Sequence, residues 1–335
     1  MTSIPKNPIF NDDDAARAHL EKLRWPEGVI CVHCGAFGEA ISKVEKTDTR
    51  RKPASPKKRH KPARAGRYYC KDCEGTFTVT VGTVMEDSHV PLHKWLYAFR
   101  QFLASKNGIS AHQMHRDIGV SYKTAWFMCH RIREALRQGG LAPPMMGGGQ
   151  SKVVEADETF IGRKRDVPRK DIAKKRGAKH KHAVLTLIDR SSGEARSFHV
   201  DDANSANIVP IVRANVAKET TLSTDEASHY RPLDREYYHG TVNHSKDEWV
   251  VGEFHTNSAE GYFSHFKRSV RGTYSHISEK HLHRYLAEFD FRYSNRAKLG
   301  VDDTKRTDRA LRGIEGKRLT YRRIGRPRSE AGGEA

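Results

Sequence analysis

A chain of 335 residues is long enough for two or three domains and a sizeable core. Its 60 Lys and Arg outnumber 41 Asp and Glu, and the formal charge of +19 suggests a polyanionic partner, nucleic acid first. No apolar run approaches the roughly 20 residues of a membrane span, and the first 17 residues lack the pattern of a secretion signal. Five cysteines, four of them in two CxxC pairs, suit metal ligation in a reducing compartment better than disulfides. The expected location is the cytoplasm, against the nucleoid.

Asp12 to Lys22 is expected to form a short helix with Leu20 and Leu23 on its apolar side. Cys31-Val-His-Cys34 and Cys70-Lys-Asp-Cys73 follow, each a knuckle whose two thiolates can share a tetrahedral Zn²⁺. After the second, Phe77, Val79 and Val81 alternate with Thr76, Thr78 and Thr80, the period of a strand. Two knuckles and a strand predict a zinc ribbon over 12–82, with Cys31, Cys34, Cys70 and Cys73 holding one structural zinc. Between the knuckles, residues 50–67 carry nine Lys/Arg and no acid. Such a stretch cannot build a core. Arg50, Arg51, Lys57, Lys58 and Arg59 are read as an arm on DNA phosphate, which positions a protein without specifying sequence; the other reading is a solvated insertion.

Residues 90–137 carry helical periodicity. Trp95, Leu96, Phe99 and Phe102 stripe one helix. A second helix is expected over 111–117, then a turn at Gly119, where positive φ suits glycine, and a third helix capped by Ser121. In a helix-turn-helix, Tyr122 and Lys123 stand at the groove-facing start of the recognition helix; a plain helical bundle is the alternative. Cys129, among Trp126, Phe127 and Ile132, reads as a buried thiol. Residues 138–150, rich in Gly and Pro, read as a linker.

From Ser151 the pattern changes to strands. The first carries Asp157, with Glu158 pointing to the opposite face by alternation. A basic loop over 163–182 holds ten Lys/Arg. His182–Asp189 and Glu194–Val200 flank a Ser-Ser-Gly turn and read as a hairpin. Ala203 to Ala217 reads as an amphipathic helix that Pro210 either kinks or begins. Thr220 to Glu226 is a further strand with Asp225 at its C-terminal end. A last helix begins near Asn257 and sets Glu260, Ser264, Lys267 and Arg271 in one polar stripe. Its carboxylate suits a divalent metal and its Lys a DNA phosphate; the competing reading is a capping box of Asn257 and Glu260. Strand, hairpin, helix, strand and helix predict an α/β domain over 151–300, a ribonuclease-H-like mixed sheet flanked by helices. Asp157, Asp225 and Glu260 would converge there on two Mg²⁺ (or Mn²⁺). Of the nearby histidines, His239, His244 and His255, the last is the best candidate to orient a ligand. Residues 301–335 read as a basic tail whose Gly-Arg-Pro core suits a minor groove or simply solvent.

The strings EADETFIG, STDEASHY, VNHS and HTNSAEGYFSHFKRSVRGTYSHISEKHLHRYLAEFDFRYSNR closely resemble bacterial insertion-sequence transposases of the zinc-ribbon type, in the DDE (Asp-Asp-Glu) class. The resemblance spans roughly residues 15 to 300. It implies that Asp157, Asp225 and Glu260 are catalytic acids and Lys267 the basic residue seven positions on. Asn257 is a second candidate in the third block. The insert at 50–67, the pair Tyr262-Phe263 and the ending Tyr293-Ser-Asn295 depart from the family pattern. The expected activity is binding to the inverted repeats of its own element, Mg²⁺-dependent strand cleavage and strand transfer, by a homo-oligomer on double-stranded DNA, with no membrane involved. A non-catalytic zinc-ribbon regulator and a ribonuclease-H-type nuclease are the alternatives.

Overall fold

In the computed structural model, Asp12 accepts the Ala15 N–H at 2.7 Å and opens α1 (Asp13–Arg24). The structure describes residues 7–44, 65–137, 143–164, 178, 180–243, 246 and 248–320. Arg50, Arg51, Lys57, Lys58 and Arg59 lie outside the described residues, as do His244, most of the basic loop and the Gly-Arg-Pro segment.

Strands β1 (Ile41–Val44), β2 (Arg67–Cys70) and β3 (Thr76–Thr78) form an antiparallel three-stranded sheet. The expected strand after the second knuckle is real but short: Val79 is buried in the turn that follows Thr78. Trp25 meets Tyr68 and Phe77 edge-on at 5.8 and 5.9 Å, tying α1 to this sheet. Helices α2 (Leu92–Ala104), α3 (Ala111–Ile118) and α4 (Tyr122–Leu136) follow. Gly119 ends α3 at φ +63°, and Ser121 caps α4 through the Thr124 N–H at 3.2 Å. Ribbon and helices share one core, with Leu20, Phe77, Trp95, Phe99, Phe102, Met114 and Ile132 all buried.

The second half is built on a five-stranded sheet. Its strands are β4 (Val153–Ile161), β5 (His182–Asp189), β6 (Ala195–Val200), β7 (Thr221–Asp225) and β8 (Tyr238–Val242). The spatial order is β6-β5-β4-β7-β8; the first three are antiparallel, and β7 and β8 run parallel to β4. Helix α5 (Ser205–Asn215) starts five residues before Pro210, so the proline neither opens the helix nor ends it. With the 3₁₀ helix Ser228–Leu233, α5 covers the face carrying Val154, Ala156, Leu185 and Leu222. Helices α6 (Asn257–Ser269) and α7 (Glu279–Ser294), joined through a π turn at Val270–Tyr274, cover the face carrying Val184, Ile188 and Ala195.

The stretch from 301 departs from the expected tail. Asp302 caps α8 (Asp303–Arg312), whose Ala310 and Leu311 are buried with Ile314 in the first core. Charge alone suggested solvent, but Arg306 is buried with its guanidinium on the carbonyls of Asn295 and Leu103, at 2.8 and 3.1 Å.

Candidate active site and metal centres

The register places the acids. Glu155 pairs with Ser223 across the parallel β4–β7 ladder, so Asp157 and Asp225, two residues on along each strand, share the face beneath α6. Carboxylate oxygens of Asp157, Asp225 and Glu158 lie within 4.8 Å of one another. Alternation does send Glu158 to the other face, where it accepts hydrogen bonds from His229 at 3.0 Å and from the Tyr230 hydroxyl. Its carboxylate nonetheless reaches the other two acids as well. Burial, and then the charges of Glu158 and Asp225, push the Asp157 carboxyl up to about 8; Glu260 adds to the repulsion. Asp225 is raised too, chiefly by burial.

Glu260 is exposed on the first turn of α6 and stands outside that 4.8 Å group. Lys267, two turns further on, is half-buried. Burial lowers its ammonium while the charge of Asp157 pulls it back up; Arg271 on the π turn lowers it further. The attraction matters little at the Asp157 end, where burial and the neighbouring carboxylates prevail. Glu260 thus acts electrostatically on Asp157, and Asp157 on Lys267.

The capping box does not form. Thr256 is the N-cap and Asn257 the first helical residue, exposed. The helix is capped instead by Glu155, fully buried, whose Oε2 accepts the N–H groups of Ser258 and Ala259 at 2.8 and 3.0 Å. Its Oε1 takes the Arg190 guanidinium at 2.5 Å, and Arg190 also holds the carbonyls of Glu253 and His255. A buried carboxylate on a helix N-terminus is favoured by the free N–H groups and the macrodipole. One strand thus carries both Asp157 and the anchor of the helix bearing Glu260 and Lys267. No sequence pattern marked Glu155; an acid two residues before Asp157 inside an apolar strand was the available signal. His255 sits 3.3 Å from Glu155 and is not part of the 4.8 Å group, and His239 bonds Asp234 and Thr224.

The four ribbon cysteines come together as predicted. Cys31 and Cys73 sulfurs are 3.6 Å apart, as are those of Cys34 and Cys70, and all four lie within 4.8 Å of one another. Burial raises the Cys31 thiol, but N–H groups of Cys34 and His33 outweigh it and bring it down to about 6. Four converging sulfurs, with backbone N–H donors on Cys31, Cys34 and Cys73, fit zinc. Cys129 is buried, and burial pushes its thiol up to about 12. On α4, Tyr122 and Lys123 are exposed at the first turn, and Tyr122 stacks on His112 at 4.2 Å.

The fold is thus a mixed five-stranded sheet flanked by helices, with carboxylates grouped on β4 and β7 and a four-cysteine cluster in the first half of the chain. Residues 148–294 match the ISXO2-like transposase domain. An uncharacterized protein in transposable element ISH50 of Halobacterium salinarum is 30% identical over 299 residues, 84% of this chain and 91% of its own length. An uncharacterized transposase-like protein of Haemophilus influenzae is 29% identical over 97 residues, 29% of this chain and 77% of its own length. The chain belongs to this family of insertion-sequence transposases. A simian T-cell lymphotropic virus intasome in complex with PP2A regulatory subunit B56 gamma is also similar. The likeness covers 53% of this chain and 63% of that one at 9% identity, and its TM-score of 0.26 is too low to carry an argument. Among the described residues, no helix is long and apolar enough to cross a membrane.

Proposed function

We propose that this transposase is a DDE enzyme that binds the terminal inverted repeats of its own element, cuts a strand and joins the freed end to target DNA. The observation that carries it is Asp157 and Asp225 side by side, with Asp157 raised to about 8. Acids that repel one another this strongly favour a bound cation. The sheet order, third-second-first-fourth-fifth by sequence, supports a ribonuclease-H-like domain. Two Mg²⁺ (or Mn²⁺) on Asp157, Asp225 and Glu260 would supply an activated water and steady the attacking and leaving oxygens. Water attacks the phosphorus and the 3′ oxygen leaves as a hydroxyl; that hydroxyl then attacks a target phosphodiester and displaces its 3′ oxygen. Lys267 and Arg271 hold phosphates beside the acids. Zinc on the four-cysteine ribbon folds that module, and Tyr122 and Lys123 face the end sequence. The domains are a ribbon over 12–82, a helical reader over 90–137 and a catalytic unit over 151–300. Handling two ends calls for a homo-oligomer on DNA, in the cytoplasm.

A second reading concerns the third carboxylate alone: Glu158, unlike Glu260, lies within 4.8 Å of both aspartates. Asp157→Ala, Asp225→Ala, Glu260→Gln and Glu158→Gln should be compared for Mg²⁺-dependent nicking of end DNA, with end binding measured alongside. Asp157→Ala, Asp225→Ala and Glu260→Gln are each expected to lose about a thousandfold or more with binding kept. Near-normal cutting by either aspartate variant defeats the proposal. A dead Glu158→Gln beside an active Glu260→Gln would transfer the third ligand to Glu158.

A further inference from the structure

We propose that His182, His199 and Glu279 form a second transition-metal site, of the zinc class, fastening the start of α7 to the sheet. His199 pairs with Val184 across the β5–β6 ladder, so His182 and His199 are diagonal neighbours on the face that α6 and α7 cover. Their rings sit 5.4 Å apart at 71°. Glu279, the first residue of α7, comes down on the pair, and donor atoms of all three lie within 4.8 Å of one another.

His182 singles this group out from an ordinary ion pair. Its side chain is only 5% exposed, yet its Nδ1 has no hydrogen-bond partner among the described residues. The Glu279 carboxylate stands 3.8 Å away, too far for a hydrogen bond. Two ligands of a tetrahedral zinc, each about 2.0–2.1 Å from the ion, lie roughly 3.4 Å apart, so the gap suits a shared metal after a shift of a few tenths of an ångström. A buried, unsatisfied ring nitrogen is costly without such a partner. Burial, and then the neighbouring His182, lower the His199 imidazole and favour the neutral form that ligates. Two imidazoles and one carboxylate are a borderline-soft donor set that selects zinc-like ions over Mg²⁺. Three protein ligands leave a fourth position for water or a phosphate oxygen.

The site is independent of the Asp157 reading, because none of its ligands belongs to that group. The test is metal content of the full chain after equilibration with buffered zinc, read by elemental analysis. The parent is expected to hold two zinc ions per chain, one in the ribbon and one here. Glu279→Gln and His199→Gln, whose side chains are more exposed than that of His182, are expected to drop to one while folding normally. Cobalt loading separates the two sites. The sulfur-to-cobalt charge-transfer band of the ribbon should persist in both variants, while the weaker nitrogen–oxygen absorption disappears. One zinc per chain in the parent, or two in both variants, would overturn the proposal.

Discussion

Two acidic groups in the second half of the molecule are built in opposite ways. Glu288 on α7 is fully buried, and burial alone would raise its carboxyl. Arg292 and Arg133 outweigh that and hold it below the ordinary carboxylate range. Arg133 donates to it at 2.7 Å, and Arg292 and the Tyr274 hydroxyl bond its other oxygen. Asp157 is less buried but faces carboxylates instead of guanidiniums, and its carboxyl goes up to about 8. On the proposed reading, the difference separates a structural acid, neutralised by its own chain, from one left to a cation. The acidic run in α7 holds one acid of each kind, for burial pushes the Asp290 carboxyl up to about 7 while Glu288 is held low. Glu288 joins α7 to α4 through Arg133, and Asp290 accepts bonds from Ser197 and the Tyr262 hydroxyl. Both serve packing, although they sit in the block that most closely resembles the family.

The largest expected effect strikes the neutralised group. Glu288→Gln should cost about 3–5 kcal/mol, because it leaves two buried guanidiniums without their counter-charge. Denaturant unfolding measures it, and a loss under about 1 kcal/mol would mean that the two groups are not different in kind.

Lys267 probes the other group from its cationic side. Lys267→Ala should lower strand transfer from a pre-cut end by about tenfold to a hundredfold, the worth of one charge-assisted contact. Lys267→Arg should keep much of the activity, since a lone phosphate contact mainly needs a point charge. Full transfer by Lys267→Ala would place its ammonium outside the DNA path.

A third test reads stability against pH. A carboxyl raised from 3.8 to about 8 binds its proton more tightly in the folded chain. Metal-free protein therefore loses stability as pH rises from about 4 to about 8. Asp157→Asn should remove that share of the slope. It should melt with the parent near pH 4 and be more stable than the parent near pH 8, with Mg²⁺ stabilising the parent alone. An unchanged slope in the variant would show that Asp157 does not carry the strain.

Features that depend on local chemistry could be read from the sequence. The two CxxC spacings, the glycine at the α3–α4 turn and the serine opening α4 each declare a geometry within a few residues. Asp157 and Asp225 were visible because a carboxylate inside a strand is unusual. Features that depend on long-range placement could not be read. Strand β8 buries only Val242 and shows no clear alternation. Glu155 acquires its role from α6, about a hundred residues later, so Asn257 looked like the cap. Glu158 joins the acids although strand alternation points it to the other face. Helix α8 buries Arg306 and Thr307 beside Ala310 and Leu311, so composition alone concealed its inner face.

That last helix sets an order on the birth of the molecule. Leu20 and Phe77 share their core with Leu311 and Ile314, and Thr83 bridges to Glu315. The region that begins the chain therefore cannot close its own interior until residues almost three hundred positions later have left the ribosome. Closing so long a loop is slow compared with local helix formation. During translation the ribbon and its helices exist with part of their apolar surface open, while the whole five-stranded sheet is made. The half that opens the chain is the last to be finished.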